Sequence, residues 1–265
     1  MEQPSAVERA KAVIAPYLDR PGMLGAFLTG GAARPFGDAL SDLDIICVYE
    51  DEAYAAVEKD KRVVAHYEGE GASRRKIYDF LQLSKSRIEE QLESKLDHLR
   101  WGFQHGIVLH DPTGWLTRAV HAAAQLPDDI REARVRAHCY EYLWAEYRAE
   151  RASKRPHVAF MAGALRSTGL IGLCKALLCA AGIWPSKLQW LTHELAILGA
   201  PAELVSELEH AFGHLDTHNE KVRPLAFEWL ASKGYSFQFD STAVAIWGVG
   251  SPDGIDAIET WVRTH

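Results

Sequence analysis

The sequence predicts an α+β protein, with an N-terminal domain over residues 1–126 that is a mixed sheet with flanking helices, and a C-terminal helical bundle domain over residues 127–265. Two observations carry this. Short apolar runs of strand length, stopped by glycine or polar residues, crowd the chain before Ser84. Beyond about Leu126 helical periodicity dominates to roughly Lys233, punctuated by Pro127, Pro156, Pro185 and Pro201.

The elements follow in order. Val7, Ala10, Val13 and Ile14 recur at three- and four-residue steps, which predicts an amphipathic helix over 6–15 that Pro16 kinks or ends. Met23 to Thr29 is an apolar run entering the Gly30-Gly31 turn, and Leu43 to Tyr49 is a second run after Ser41 and Asp42. Strands are expected at 62–67 and 76–83, joined by the glycine-bearing turn 68–73. Helices are expected at 88–95 and 96–104, then a brief segment 107–110 and a helix from Thr113. Ser251-Pro252-Asp253 reads as an N-cap followed by proline at the first helical position, opening a last helix to Val262.

Composition excludes several function classes. Hydrophobic residues at 48% and charged residues at 25% are ordinary globular usage, which argues against disorder or a fibrous chain. The N-terminal MEQPSAVERAKAV has no long apolar run, so it is read as neither a signal nor a transit peptide, and a cytoplasmic location is expected. The run from Leu170 to Ile183, broken by Lys175, is too short to span a bilayer and reads as a buried helix. Cys47, Cys139, Cys174 and Cys179 form no CxxC pair, and the histidines show no paired-ligand spacing, so buried thiols are expected and zinc is not. A net charge of −7 with no long basic run disfavours nucleic acid and suits a cationic small molecule.

The informative segment is LTGGAARPFGDALSDLDIICV, from Leu28 to Val48. A strand runs into a double glycine, ten residues intervene, and Asp42 and Asp44 then stand at i and i+2 before an apolar strand. Residues at that spacing share a strand face. Two carboxylates aimed together repel unless a cation sits between them, and magnesium suits because it takes one or two carboxylates and completes its shell with water and phosphate oxygens. Gly30 and Gly31 let the backbone approach a triphosphate with exposed amides, and Arg34 is placed to pair with a phosphate. The plainer reading is an ordinary turn and solvated aspartates. Asp79, in KIYDFLQL, lies mid-strand among apolar neighbours, where an unpaired acid is expensive; it is a candidate third metal ligand or base, although the alternation leaves its facing open.

This segment resembles the nucleotidyltransferase signature of the DNA polymerase β superfamily, and the aminoglycoside (kanamycin-modifying) nucleotidyltransferases look closest. Their Gly-Ser is Gly30-Gly31 here. FQHGIVLHDPTGW, from Phe103 to Trp115, and MAGALRSTGLIGL, from Met161 to Leu173, are similar to later family segments, and AEYRAER, from Ala145 to Arg151, resembles the one holding the catalytic base. The resemblance implies Glu146 as base, with Glu141 a competing acid in the same helix. Where the family has a lysine four residues on, this chain has Glu150. It further implies Mg2+ and ATP or another NTP, an acceptor-binding helical domain, transfer of AMP to a hydroxyl of an aminoglycoside-like antibiotic, and a homodimer. The rivals are a nucleotidyltransferase acting on a protein or RNA end, and a non-catalytic nucleotide-binding or regulatory protein. Trp101, Trp115, Trp144 and Trp190 lie in helix-like apolar patterns that predict core packing, while Trp144 and Tyr147 flank Glu146 and are candidates to line an acceptor pocket.

Overall fold

The computed structural model describes residues 4–37 and 41–235. The chain divides into two compact units, Met1–Lys95 with Leu99–Gln125, and Leu96–His98 with Leu126–His265. The helix expected over 251–262 lies outside the described residues.

The first unit is a five-stranded mixed sheet with helices. Helix α1 (Ala6–Ile14) starts in a capping box, in which the Glu8 amide donates to Ser5 Oγ and the Ser5 amide to Glu8 Oε2. Strands β1 (Met23–Thr29) and β2 (Leu43–Tyr49) have the expected limits. A short helix α2 (Asp51–Ala55) that periodicity does not disclose follows, then β3 (Val63–Glu68) and β4 (Arg75–Ser84). Helix α3 (Lys85–Glu93) begins three residues earlier than expected because Ser84 Oγ caps it, accepting from the Arg87 amide. Helix α4 is only Asp97–Arg100, and a single tighter turn, Trp101–Phe103, replaces the rest of the expected 96–104 helix. There the Gly102 carbonyl accepts from the Thr29 hydroxyl and the Trp101 carbonyl from Arg34, so side chains from β1 and its turn take acceptors that a continuing helix would use. Strand β5 (Ile107–His110) and α5 (Trp115–Ala124) complete the unit.

The strand order is β3-β4-β2-β1-β5, with β2 and β4 parallel and the other pairs antiparallel. The period of two in each strand divides its side chains between two cores. Ala26, Leu28, Leu43, Ile45 and Cys47 pack with Ala10 and Ile14 of α1. Phe27 and Val48, with Ile46 and Leu83, pack with Ile88 of α3 and Leu116 and Val120 of α5.

The second unit is helical: α6 (Asp128–Ser153), α7 (Ala162–Ala180), α8 (Leu191–Ile197), α9 (Ala202–Gly213) and α10 (Val222–Ser232). Pro127 and Pro201 stand at the N-caps of α6 and α9, where proline costs no hydrogen bond. Among the described residues one helical stretch, Ala159–Ala180, is long and apolar enough to cross a membrane. It is largely buried: Leu173, Cys174, Leu177 and Leu178 lie in the core of this unit, as the sequence reading of a buried helix expects. All four cysteines are buried and free, and burial pushes Cys47, Cys174 and Cys179 up to about 12, so these thiols stay protonated.

Within the same unit the Arg134 guanidinium, 1% exposed, pairs with the buried Asp97 carboxylate and lies 4.7 Å from the Trp184 ring centre. Removing one partner leaves a desolvated charge without its counter-ion. Asp97→Ala is therefore expected to cost about 3–5 kcal/mol in urea unfolding, whereas replacing Asp97 and Arg134 together with apolar residues costs far less.

Candidate metal centre

Sequence spacing puts Asp42 and Asp44 on one side of β2, and pairing brings the third carboxylate to them. In the parallel β2/β4 ladder Asp44 stands directly beside Asp79, so the two share a face. That face continues into Ile46 and Val48 on β2 and Leu83 on β4, which pack with α3 and α5. One ligand oxygen from each of Asp42, Asp44 and Asp79 lies within 4.8 Å of the others. This is the one such group of potential metal ligands among the described residues, and all three acids are half-buried.

Lys76, which the sequence reading passed over, is seated among them. Its Nζ lies 2.6 Å from Asp42 Oδ2 and 2.5 Å from Asp79 Oδ2. By simple alternation Lys76 and Asp79 would point to opposite faces. The β3/β4 register shifts between His66 and Tyr67, with His66 opposite Tyr78 and Tyr67 opposite Lys76, so Ile77 is an extra residue on β4. An irregularity of this kind reverses the alternation and turns Lys76 to the side of Asp79. No signal short of strand pairing would have found it.

The glycine turn abuts the same carboxylates. Thr29 pairs with Asp44 across β1 and β2, and Gly30 follows at φ 72° and ψ −156°, a conformation open in practice to glycine alone. A Cβ at Gly30 would overlap Asp44 Oδ2, so the missing side chain is what lets the turn lie against the carboxylate. Gly31 then opens a single turn, Gly31–Ala33. Arg34 is 4% exposed: its guanidinium donates to the Gly30 carbonyl at 2.6 Å and to the Trp101 carbonyl at 3.4 Å, and lies 4.2 Å from the Trp101 ring centre. In this arrangement Arg34 holds the turn from behind.

Three hard carboxylate oxygens fit a divalent cation such as Mg2+. Asp42 Oδ2 is buried and, although Lys76 lies close, accepts no hydrogen bond of good geometry. The Lys76 ammonium stands where a cation would balance the acids.

Glu146 belongs to the helical unit. It is 18% exposed at the side chain and pairs with His218 Nδ1 at 2.7 Å. Burial raises its pKa above the usual glutamate value, against the lowering effects of His218, Arg166 and Arg223. Tyr142, Arg166, Thr217, His218 and Asn219 close around it, leaving a cavity of about 10 Å³, room for about one water. Arg166 fixes one wall by donating to the Leu215 and Asp216 carbonyls at 3.0 and 2.8 Å. The competing acid Glu141 instead faces His138 at 3.3 Å. Glu150, where the family has a lysine, is exposed and paired with Lys154 at 2.5 Å. Trp101, as expected, is buried, whereas Trp144 is 37% exposed.

Neither a protein-family model nor a curated protein matches the chain. Among solved structures it is similar to a nucleotidyltransferase-like protein from Exiguobacterium sibiricum 255-15, at 10% identity, with 97% of this chain and 79% of that chain covered and a TM-score of 0.43.

If Lys76 stands in for a cation, Lys76→Met exposes the carboxylates to one another. The variant is expected to melt at a lower temperature than the native protein in EDTA, and to gain more stability and bind about tenfold more tightly on Mg2+ or Mn2+ addition. Unchanged cation affinity by titration calorimetry would refute the stand-in role.

Proposed function

We propose that the protein transfers a nucleoside monophosphate, AMP from ATP or the equivalent from another NTP, to a hydroxyl of a small molecule in a magnesium-dependent reaction. The observation that carries the reading is the convergence of Asp42, Asp44 and Asp79 beside a glycine turn whose backbone lies against Asp44. Asp42, Asp44 and Asp79 would hold the metal, which when bound supplies positive charge to the phosphate oxygens. The backbone at Gly30 and Gly31, stiffened by Arg34, offers amide dipoles to the same phosphates. Lys76 either withdraws from the acids as the cation enters or turns its ammonium to the triphosphate. The acceptor oxygen bonds to the α-phosphorus, the bond to pyrophosphate breaks, and the hydroxyl proton passes to a carboxylate.

Glu146 is our candidate for that carboxylate, since burial gives it a more basic carboxylate than water would. His218 must swing aside to open it. Acidic balance, 36 Asp and Glu against 29 Lys and Arg, suits a cationic acceptor of the aminoglycoside class. A second reading, a nucleotide-binding protein without turnover, draws on Lys76 in the cation's place and His218 over Glu146.

Purified protein incubated with ATP, Mg2+ and a panel of hydroxylated antibiotics is expected to add the mass of AMP to one of them. Asp42→Asn with Asp44→Asn removes that product and the magnesium-dependent part of ATP binding. No product, with no magnesium-dependent binding in the native protein, overturns the proposal.

Glu146 accepts a proton only when ionised. Activity is therefore expected to fall as pH drops through its raised pKa, placing the acid limb of kcat/KM above the ordinary glutamate value of about 4.3. Glu146→Gln should lower kcat about 10²–10⁴-fold with ATP affinity unchanged. An acid limb that survives in this variant would move the base elsewhere.

A further inference from the structure

We infer that helix α6 carries a second ligand site, on the side away from Glu146, that takes a mononucleotide-sized aromatic anion. It does not depend on the aspartate centre.

Trp144, Arg148 and Arg151 recur at steps of four and three residues, which in an α-helix is one stripe, and Arg155 follows just past the end of α6 at Ser153. Glu146 leaves the helix on the other side, toward His218. Together with Tyr147 the stripe lines an open cavity of about 390 Å³, whose apolar floor comes from Val158, Met161 and Leu165. That volume lies within the range of about 300–1,000 Å³ typical of small-molecule sites.

Ring chemistry and charge together specify the ligand. The Trp144 and Tyr147 rings lie 5.7 Å apart at 29°, and 37% exposure of Trp144 leaves it open to stack on a further planar group. Arg151 is aimed by its hydrogen bond to Tyr147 Oη at 3.0 Å. Among the described residues neither Arg148 nor Arg155 has a carboxylate partner, and no acid lines the cavity. The nearby acids are already engaged, Glu150 by Lys154 and Glu146 by His218. Three arginines gathered without acids in a chain of net charge −7 are a local inversion of the protein's field. Bases in the last turn of a helix answer its dipole, but Arg148 precedes the last turn of α6, and the dipole accounts for neither the cavity nor the rings. A planar ring on Trp144 with a phosphate among the guanidiniums satisfies both halves, and the cavity admits one ring system better than a polymer.

The test is a titration of AMP into the full-length protein in EDTA, followed by calorimetry and tryptophan fluorescence. Saturable one-to-one binding with quenched emission is expected. It should weaken at least tenfold in Arg148→Ala with Arg155→Ala, and at least tenfold in Trp144→Ala, with unchanged melting temperatures. It should persist in Asp42→Asn with Asp44→Asn, which separates this site from the metal centre. Adenosine and inorganic phosphate should each bind at least tenfold more weakly than AMP. The inference is overturned if AMP does not bind, if either α6 variant binds like the native protein, if phosphate alone matches AMP, if a thymidine oligonucleotide outcompetes it, or if the face proves to be buried in a dimer that the α6 variants dissociate.

Discussion

Mutual repulsion of Asp42, Asp44 and Asp79 is the constraint around which the sheet unit is organised. Like charges about 4 Å apart cost about 4 kcal/mol at an effective dielectric constant of about 20, and less where water reaches them. Uncompensated, even one such pair would take a large share of the roughly 5–15 kcal/mol by which a domain is stable. Lys76 supplies the compensation, and it can do so only because β4 carries an extra residue at Ile77 that turns the lysine to the acids' side. The irregularity, the parallel pairing of β2 with β4 and the lysine therefore form one device, which gathers three acids and sets an ammonium among them.

The glycine turn extends the device. Asp44 reaches its place because Gly30 has no Cβ, and the turn keeps its shape because Arg34 and Thr29 bind it to Trp101 and Gly102. A buried arginine would ordinarily be costly. Here carbonyl acceptors and the Trp101 ring absorb its charge.

In the helical unit burial acts on charge in two ways. Asp97 and Arg134 are buried together and neutralise one another in the core. Glu146 is only partly matched by His218, so desolvation wins over the nearby cations and the carboxylate becomes more basic. The two faces of α6 thus differ in kind: one holds a shielded acid, the other presents arginines without acidic partners beside the exposed Trp144 ring.

Much of this was legible in the linear chain. The limits of β1 and β2, the glycine turn and the shared face of Asp42 and Asp44 follow from local rules, because backbone sterics and the period of a strand act within a few residues. The alternation around Asp79 left its facing open, and register resolved it by seating Asp79 beside Asp44. Lys76 was invisible to alternation. Arg34, expected at a phosphate, is found holding the turn, and Trp144, expected in a core or lining an acceptor pocket, is exposed beside the arginines. The sequence by itself determined which acids share a strand face and where glycine must stand, since those are matters of local geometry. Only the tertiary structure decided which cation answers the acids and which carboxylate is made basic, because charge compensation and desolvation depend on groups brought together from distant parts of the chain.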